Sequence, residues 1–311
     1  MKYLFLLASL TFFQTSFAQQ DSLFIPKDIE VNTFINGTLL TPNNTVKPNL
    51  AIIIAGSGPT DRDGNQNFLK SNNLKKLAIG LSKNGIATFR YDKRIVKQIR
   101  KGNVDKNMMF DDFVTDASSV LEHFKNTNAY NKIYIIGHSQ GSLVGLLAAK
   151  DKANGFISLA GAGQPIDQII IEQVTKTAPQ FKADTERIFK VLRQGKTTSD
   201  FPAALGSLFN LSVQPFIANW MSYNPIEEIA KLNMPCLIIN GTKDLQVSEN
   251  DAKLLNEASK NSSLKIYKNM NHILVTIEGD NLENSKSYNE PNRKLTTNLV
   301  FDIVDFIKKQ K

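Results

Sequence analysis

Runs of apolar, largely β-branched residues recur along the chain at Leu50 to Ala55, Ile86 to Tyr91, Ile133 to Ile136, Gly155 to Ala160 and Cys236 to Ile239. Runs that are apolar at nearly every position are strands buried on both faces. Between them the apolar positions switch to helical spacing. Leu74, Leu77, Ala78 and Leu81 form one stripe, with Asn72 or Asn73 as cap and Gly85 as stop, and Phe110, Phe113, Val114, Ala117, Val120, Leu121 and Phe124 form another. Strands alternating with helices in this way predict parallel pairing through right-handed crossovers, hence an α/β fold with a mostly parallel sheet and helices on both faces. Ahead of this body, Ile29 to Phe34 and Ile35 to Leu40 read as short antiparallel strands around an Asn36-Gly37 turn.

The alternation breaks between Ala162 and Ala230, where helical patterns follow one another without a strand. Helices inserted between two sheet strands have open space only above the strand ends, so residues 163–230 are expected to form a cap. Phe216 and Trp220 in its last third are candidates to line a substrate pocket, or to serve helix-to-helix packing. The sheet then resumes at Cys236, a last strand covers Leu264 to Tyr267, and Leu299, Val300, Ile303, Val304, Phe306 and Ile307 mark a closing helix.

The stretch from Ile133 to Leu147 carries the chemistry. A strand stops at Gly137, a small-residue helix starts at Gln140, and Gly137-His138-Ser139-Gln140-Gly141 puts a serine at the apex of the turn between them. A helix N-terminus there aims backbone N–H groups and partial positive charge at Ser139. A serine hydroxyl needs a base at neutral pH, and imidazole is best matched to that task. Of three histidines, His138 is the turn neighbour and should point away, and His123 lies on the preceding helix; His272 alone follows a late strand at the edge where Ser139 emerges. A carboxylate must hold that imidazole, and Asp244 sits just past the preceding strand, whereas Asp251 is near a helix and Asp280 lies beyond the histidine. Negative charge developing on an attacked acyl oxygen requires two N–H donors. Gln140 supplies one, and the glycine-rich bend after Ala55 supplies the other, at Ser57.

Composition narrows the classes. With 41% hydrophobic and 21% charged residues the chain can bury a full core, which excludes a disordered or fibrous protein. Net charge is +8, but the lysines are scattered, so no nucleic-acid footprint is expected; the densest cluster, Lys93, Arg94, Lys97, Arg100 and Lys101, lacks interleaved aromatics and reads as a solvated loop or helix face. Three histidines make a histidine-based metal site improbable, and no organic cofactor is expected. The single cysteine, Cys236, excludes an intrachain disulfide and reads as a buried strand residue. Lys2 followed by an apolar run from Tyr3 to Phe13 and small residues at Ser16 and Ala18 read as a secretory signal cleaved before Gln19. The run is short for a bilayer span, so residues 19–311 are expected as one soluble domain outside the cytoplasm, secreted or periplasmic.

In these features the chain resembles the α/β-hydrolase superfamily over essentially all residues after the signal. It is similar in particular to bacterial esterases and acyl hydrolases whose first long loop reads Gly-Ser-Gly-Pro-x-Asp-Arg-Asp-Gly, here Gly56 to Gly64, and whose acid follows Asn-Gly-x-x-Asp, here Asn240 to Asp244. The resemblance implies Ser139, Asp244 and His272 as a triad, with Ser57 and Gln140 as oxyanion donors. It assigns no task to Asp61, Arg62 or Asp63. One departure bears on the pocket: relatives carry glycines after Arg-Tyr-Asp-x-Arg, whereas here Arg94 is followed by Ile95-Val96-Lys97. The expected activity is hydrolysis of short-chain carboxylic esters, small or polymer-linked, through an acyl-enzyme. Two alternatives stand beside it. One is a peptidase of the proline-iminopeptidase type, using Glu172, Glu186, Glu227 or Glu228 for a substrate amine. The other is a non-catalytic binding module.

Overall fold

The computed structural model describes residues 23–310. The signal read over Met1 to Ala18 lies outside them. The strands are β1 (Phe24–Glu30), β2 (Asn36–Pro42), β3 (Leu50–Ile54), β4 (Ala87–Tyr91), β5 (Ile133–His138), β6 (Gly155–Leu159), β7 (Cys236–Gly241) and β8 (Ser262–Tyr267). They form one sheet in the order β1-β2-β4-β3-β5-β6-β7-β8, parallel from β4 to β8, with β1 and β2 antiparallel at one edge.

Strand alternation divides the core. From β3, Leu50, Ile52 and Ile54 face one side, where they meet Phe110, Phe113, Ala117, Val120 and Leu121 of helix α3 (Phe110–Asn126) and Leu143, Val144 and Leu146 of α4 (Gln140–Ala149). Ala51, Ile53 and Ala55 face the other, against Leu74, Leu77 and Leu81 of α1 (Asn73–Lys83) and Leu299, Ile303 and Ile307 of α12 (Leu299–Lys309). Both faces are covered, as all-apolar strands require. The chain leaves β3 toward β4 and then crosses back to β5 on its other side, so the carboxyl ends of β3 and β5 flank the crevice where ligands bind in open α/β sheets.

Two sequence expectations need correction. The β1–β2 turn falls at Val31–Ile35, where the Asn32 carboxamide oxygen accepts the N–H groups of Phe34 and Ile35 at 2.9 and 3.0 Å. Gly37 lies inside β2 instead, because β4 passes so close that a Cβ there would come within 2.4 Å of the Phe89 ring. The basic cluster is also not a uniformly solvated face. It opens α2 (Arg94–Arg100), and Lys93 and Arg94 are buried, 4% and 8% exposed. Arg94 is drawn in by Asp116 and Asp112 of α3, each contact 2.7 Å, while Lys101 stays in solvent.

Between β6 and β7 the chain runs through α5 (Ile166–Thr177), α6 (Lys182–Leu192), α7 (Gly206–Phe209), α8 (Gln214–Trp220) and α9 (Pro225–Ile229). The first four share a small core of their own, with Ile170, Val174, Ile188, Phe189, Leu192, Phe209 and Ile217 buried together. The sheet is closed off by α10 (Glu249–Ala258) and by the short helix α11 (Asn281–Ser287), which the polar composition of its segment concealed and which Asp280 caps through the N–H groups of Leu282 and Glu283. Among the described residues no helix is long and apolar enough to cross a membrane.

Candidate active site

Ser139 lies between β5 and α4 with φ 53° and ψ −123°, a positive-φ conformation that costs a non-glycine residue about 1–3 kcal/mol. Tight packing around it holds that conformation. A Cβ on Gly137 would meet the Gly141 carbonyl oxygen at 2.2 Å, and one on Gly141 would meet the Ile54 carbonyl oxygen at 2.5 Å, so both must be glycine for helix α4 to start against β3. Ser139 lines a cavity of about 610 Å³ between the sheet edge and the inserted helices.

His272 follows β8 and Asp244 follows β7. Their side chains are buried, and His272 Nδ1 lies 2.8 Å from Asp244 Oδ2. The other carboxylate oxygen of Asp244 accepts the backbone N–H groups of Gln246 and Val247 at 2.8 and 2.9 Å, which fixes its rotation. Asp251 is spent elsewhere, on the N-terminus of α10 and on the Gly163 N–H, and Asp280 on α11. His138 points away from the cavity side and reaches the His272 carbonyl oxygen with Nε2 at 2.7 Å, the two rings 5.0 Å apart. Burial, with the nearby His272 ring second, pushes the His138 imidazole down to about 4 and so keeps it neutral. Among the described residues neither Ser139 Oγ nor His272 Nε2 has a hydrogen-bond partner. Contacts of this kind commonly tighten only when substrate is bound.

The loop after β3 carries Ser57, which borders the cavity beside Gly58 and Pro59. Among the described residues no acceptor takes the N–H of Ser57 or of Gln140. The Asp-Arg-Asp run explains how the loop is held. The Asp61 carboxylate accepts the N–H groups of Asp63 and Asn65, Asp63 takes the Arg90 guanidinium at 2.9 Å, and Arg62 engages buried Asp92 at the end of β4 through both its backbone N–H and its side chain. Burial lifts the Asp92 carboxyl, but the hydrogen bonds and charge of Arg62 and the charge of Arg100 outweigh it and leave it below the usual carboxylate value. Sequence motif alone could point to this run, but not to its partners on β4.

Phe216 and Trp220 both border the cavity and also pack outward on α3, Trp220 stacked on Phe110 at 5.4 Å and Phe216 edge-on to Phe113 at 5.6 Å. The wall also carries apolar Ile95, Met108, Leu143, Ile170 and Val213 and polar Gln164, Gln173, Ser207, Ser212 and Gln246, and Asp105 and Lys106 are the charged residues on it. Ile95 takes its place there from the first turn of α2. None of Glu172, Glu186, Glu227 and Glu228 borders the cavity; Glu172 holds Gln164, Glu186 faces Lys182, Glu227 holds Asn224 and Glu228 pairs with Lys231. Among the described residues no cluster of side chains suits a metal ion.

A family model described as serine aminopeptidase, S33, matches residues 70–203, less than half of the chain, including Ser139 but ending before Asp244. Esterase EstD of Thermotoga maritima is 26% identical over 82% of this chain, and the chain spans 61% of that protein's length. Among solved structures, Est1E from Butyrivibrio proteoclasticus aligns with a TM-score of 0.60 at 20% identity, covering 92% of this chain and 98% of its own. An esterase of Pyrococcus furiosus aligns with a TM-score of 0.55 at 15% identity, covering 92% of each chain. By fold the chain has the α/β-hydrolase architecture, and in sequence it is similar to an esterase.

Proposed function

We propose that the protein is an exported serine hydrolase that cleaves carboxylic esters through an acyl-enzyme. The observation that carries this reading is the buried Asp244–His272 pair, 2.8 Å apart, standing at the same sheet edge as a serine held in a positive-φ turn. In the reaction Ser139 Oγ attacks the acyl carbon while His272 Nε2 takes its proton. Asp244 holds the Nδ1–H and stabilises the imidazolium. The tetrahedral oxyanion is met by the N–H groups of Ser57 and Gln140, whose freedom from other acceptors suits that task. Collapse expels the alcohol, which leaves with the proton from His272. Water then attacks the acyl-enzyme with His272 again as base, and Ser139 is released with the carboxylic acid.

The choice of ester over peptide rests on the cavity. An aminopeptidase must hold a substrate ammonium, and the four glutamates that could do so in the inserted helices are all engaged away from the cavity wall. A wall whose only carboxylate among the described residues, Asp105, stands beside Lys106 and which is largely lined by aliphatic and aromatic side chains suits an acyl chain or small aryl group instead. The export part of the reading rests on the sequence from Met1 to Ala18. Measuring kcat/KM on chain beginning at Gln19, for acyl esters of increasing length against aminoacyl-arylamides, tests the assignment. Esters are expected to be preferred by at least about two orders of magnitude, and a preference for arylamides would favour the peptidase.

A further inference from the structure

Lys93 is an unusual residue in this fold: a lysine 4% exposed, placed at the end of β4 and aimed beneath the catalytic turn. Its Nζ donates to the Gly56 carbonyl oxygen at 2.6 Å and to Gln140 Oε1 at 3.3 Å, and it lies 4.9 Å from the centre of the Phe113 ring. Among the described residues no carboxylate forms an ion pair with it, since nearby Asp116 is taken by Arg94. Lysine is almost never fully buried without a partner, because the charge loses its hydration. Burial pushes the Lys93 ammonium down to about 7, so the site works against the group it holds. A side chain kept under such a penalty is easier to explain by what it does than by stability.

Its two acceptors indicate the task. In a trans peptide the C=O and the following N–H point in opposite directions. The carbonyl that Lys93 holds belongs to the peptide unit whose N–H is that of Ser57. Pulling the Gly56 oxygen toward the interior therefore turns the Ser57 N–H outward, to the cavity side. The peptide could otherwise rotate, because Gly56 carries no Cβ, and a rotated unit would present its carbonyl oxygen where the oxyanion needs a donor. The second contact is with the side-chain oxygen of Gln140, whose backbone N–H is set by the start of α4. We propose that Lys93 is a positioning residue that braces the oxyanion hole from behind, holding the Gly56–Ser57 peptide in the donating orientation. The inference rests on the serine-hydrolase reading above.

Lys93→Met tests it, since methionine keeps the stem and removes the buried cation. Loss of alignment at one of two donors is expected to lower kcat by about 10–100-fold, somewhat less than deletion of a donor, with KM changed less than threefold. Affinity for a trifluoromethyl ketone, which forms a tetrahedral oxyanion on the serine, should fall by the same factor as kcat/KM. The melting temperature should change little, because relief of the buried amino group offsets the loss of its hydrogen bonds to Gly56 and Gln140. Lys93→Arg, which keeps a cation and donors, should recover kcat to within tenfold of wild type. Unchanged kcat and ketone affinity in Lys93→Met would overturn the proposal, as would a variant that melts early or does not fold, which would make Lys93 a structural residue. Failure of the underlying reading looks different: there Ser139→Ala would retain activity.

Discussion

Replacing Asp244 by Asn exposes the division of labour in the site. One carboxylate oxygen accepts two backbone N–H groups, from Gln246 and Val247, at 2.8 and 2.9 Å, and only an acceptor can stand there. The Asn carbonyl oxygen must take that position, which leaves its NH₂ group facing His272 Nδ1, the atom now 2.8 Å from the other oxygen. Two donors cannot share a hydrogen bond, so the ring moves its proton to Nε2 and presents a lone pair at Nδ1. It then has no free lone pair at Nε2 to accept the Ser139 proton. A wrong-tautomer change of this type costs about 10⁴ in kcat, which corresponds to about 5 kcal/mol of lost transition-state stabilisation. The fold should survive, because both backbone bonds and the side-chain volume are kept. The assay is kcat for p-nitrophenyl butyrate at pH 7 alongside the urea midpoint of each protein. A D244N enzyme within tenfold of wild type would refute the assigned role of Asp244 and return attention to another carboxylate.

Two further outcomes follow from the same geometry. His138 is held near 4, against 6.5 when free, so between those values the unfolded chain binds a proton that the folded one refuses; stability therefore rises with pH across that window and is lost on acidification, by up to about 3 kcal/mol. His138→Gln keeps a donor for the His272 carbonyl and should flatten that dependence in urea titrations at pH 4.5 and 7, whereas an unaltered slope would assign it to other groups. Val213 borders the cavity from the segment just before α8, and Val213→Trp should shorten the preferred acyl chain, lowering the ratio of kcat/KM for octanoyl over acetyl esters at least about tenfold. An unchanged ratio would place the acyl chain elsewhere.

What could be read from the sequence divides by the range of the forces involved. The buried strands β3 to β7 are legible because each carries its own apolar run, and Ser139 because glycines on both sides mark the turn. Residues whose state depends on partners far along the chain are not. Arg94 and Lys93 look like surface cations until Asp116, Phe113 and the Gly56 carbonyl are brought against them by the sheet. The same holds for Arg62, whose partner Asp92 lies 30 residues on. Gly37 misleads for the opposite reason: Asn-Gly is a strong local turn signal, but the close approach of Phe89 gives that glycine a packing role, and Asn32 makes the turn instead. Phe216 and Trp220 each pack on α3 and also border the cavity, contacts that depend on how the inserted helices settle over the sheet.

The central claim is that Ser139 forms a covalent bond to the acyl group, and incubating the chain from Gln19 with a p-nitrophenyl ester tests it most directly. Rapid quenching followed by peptide mass analysis should find the acyl mass on the peptide holding Ser139, with a burst of one p-nitrophenol per chain, and neither in Ser139→Ala. Turnover that continues undiminished in Ser139→Ala, or an acyl group found on another residue, would contradict the account.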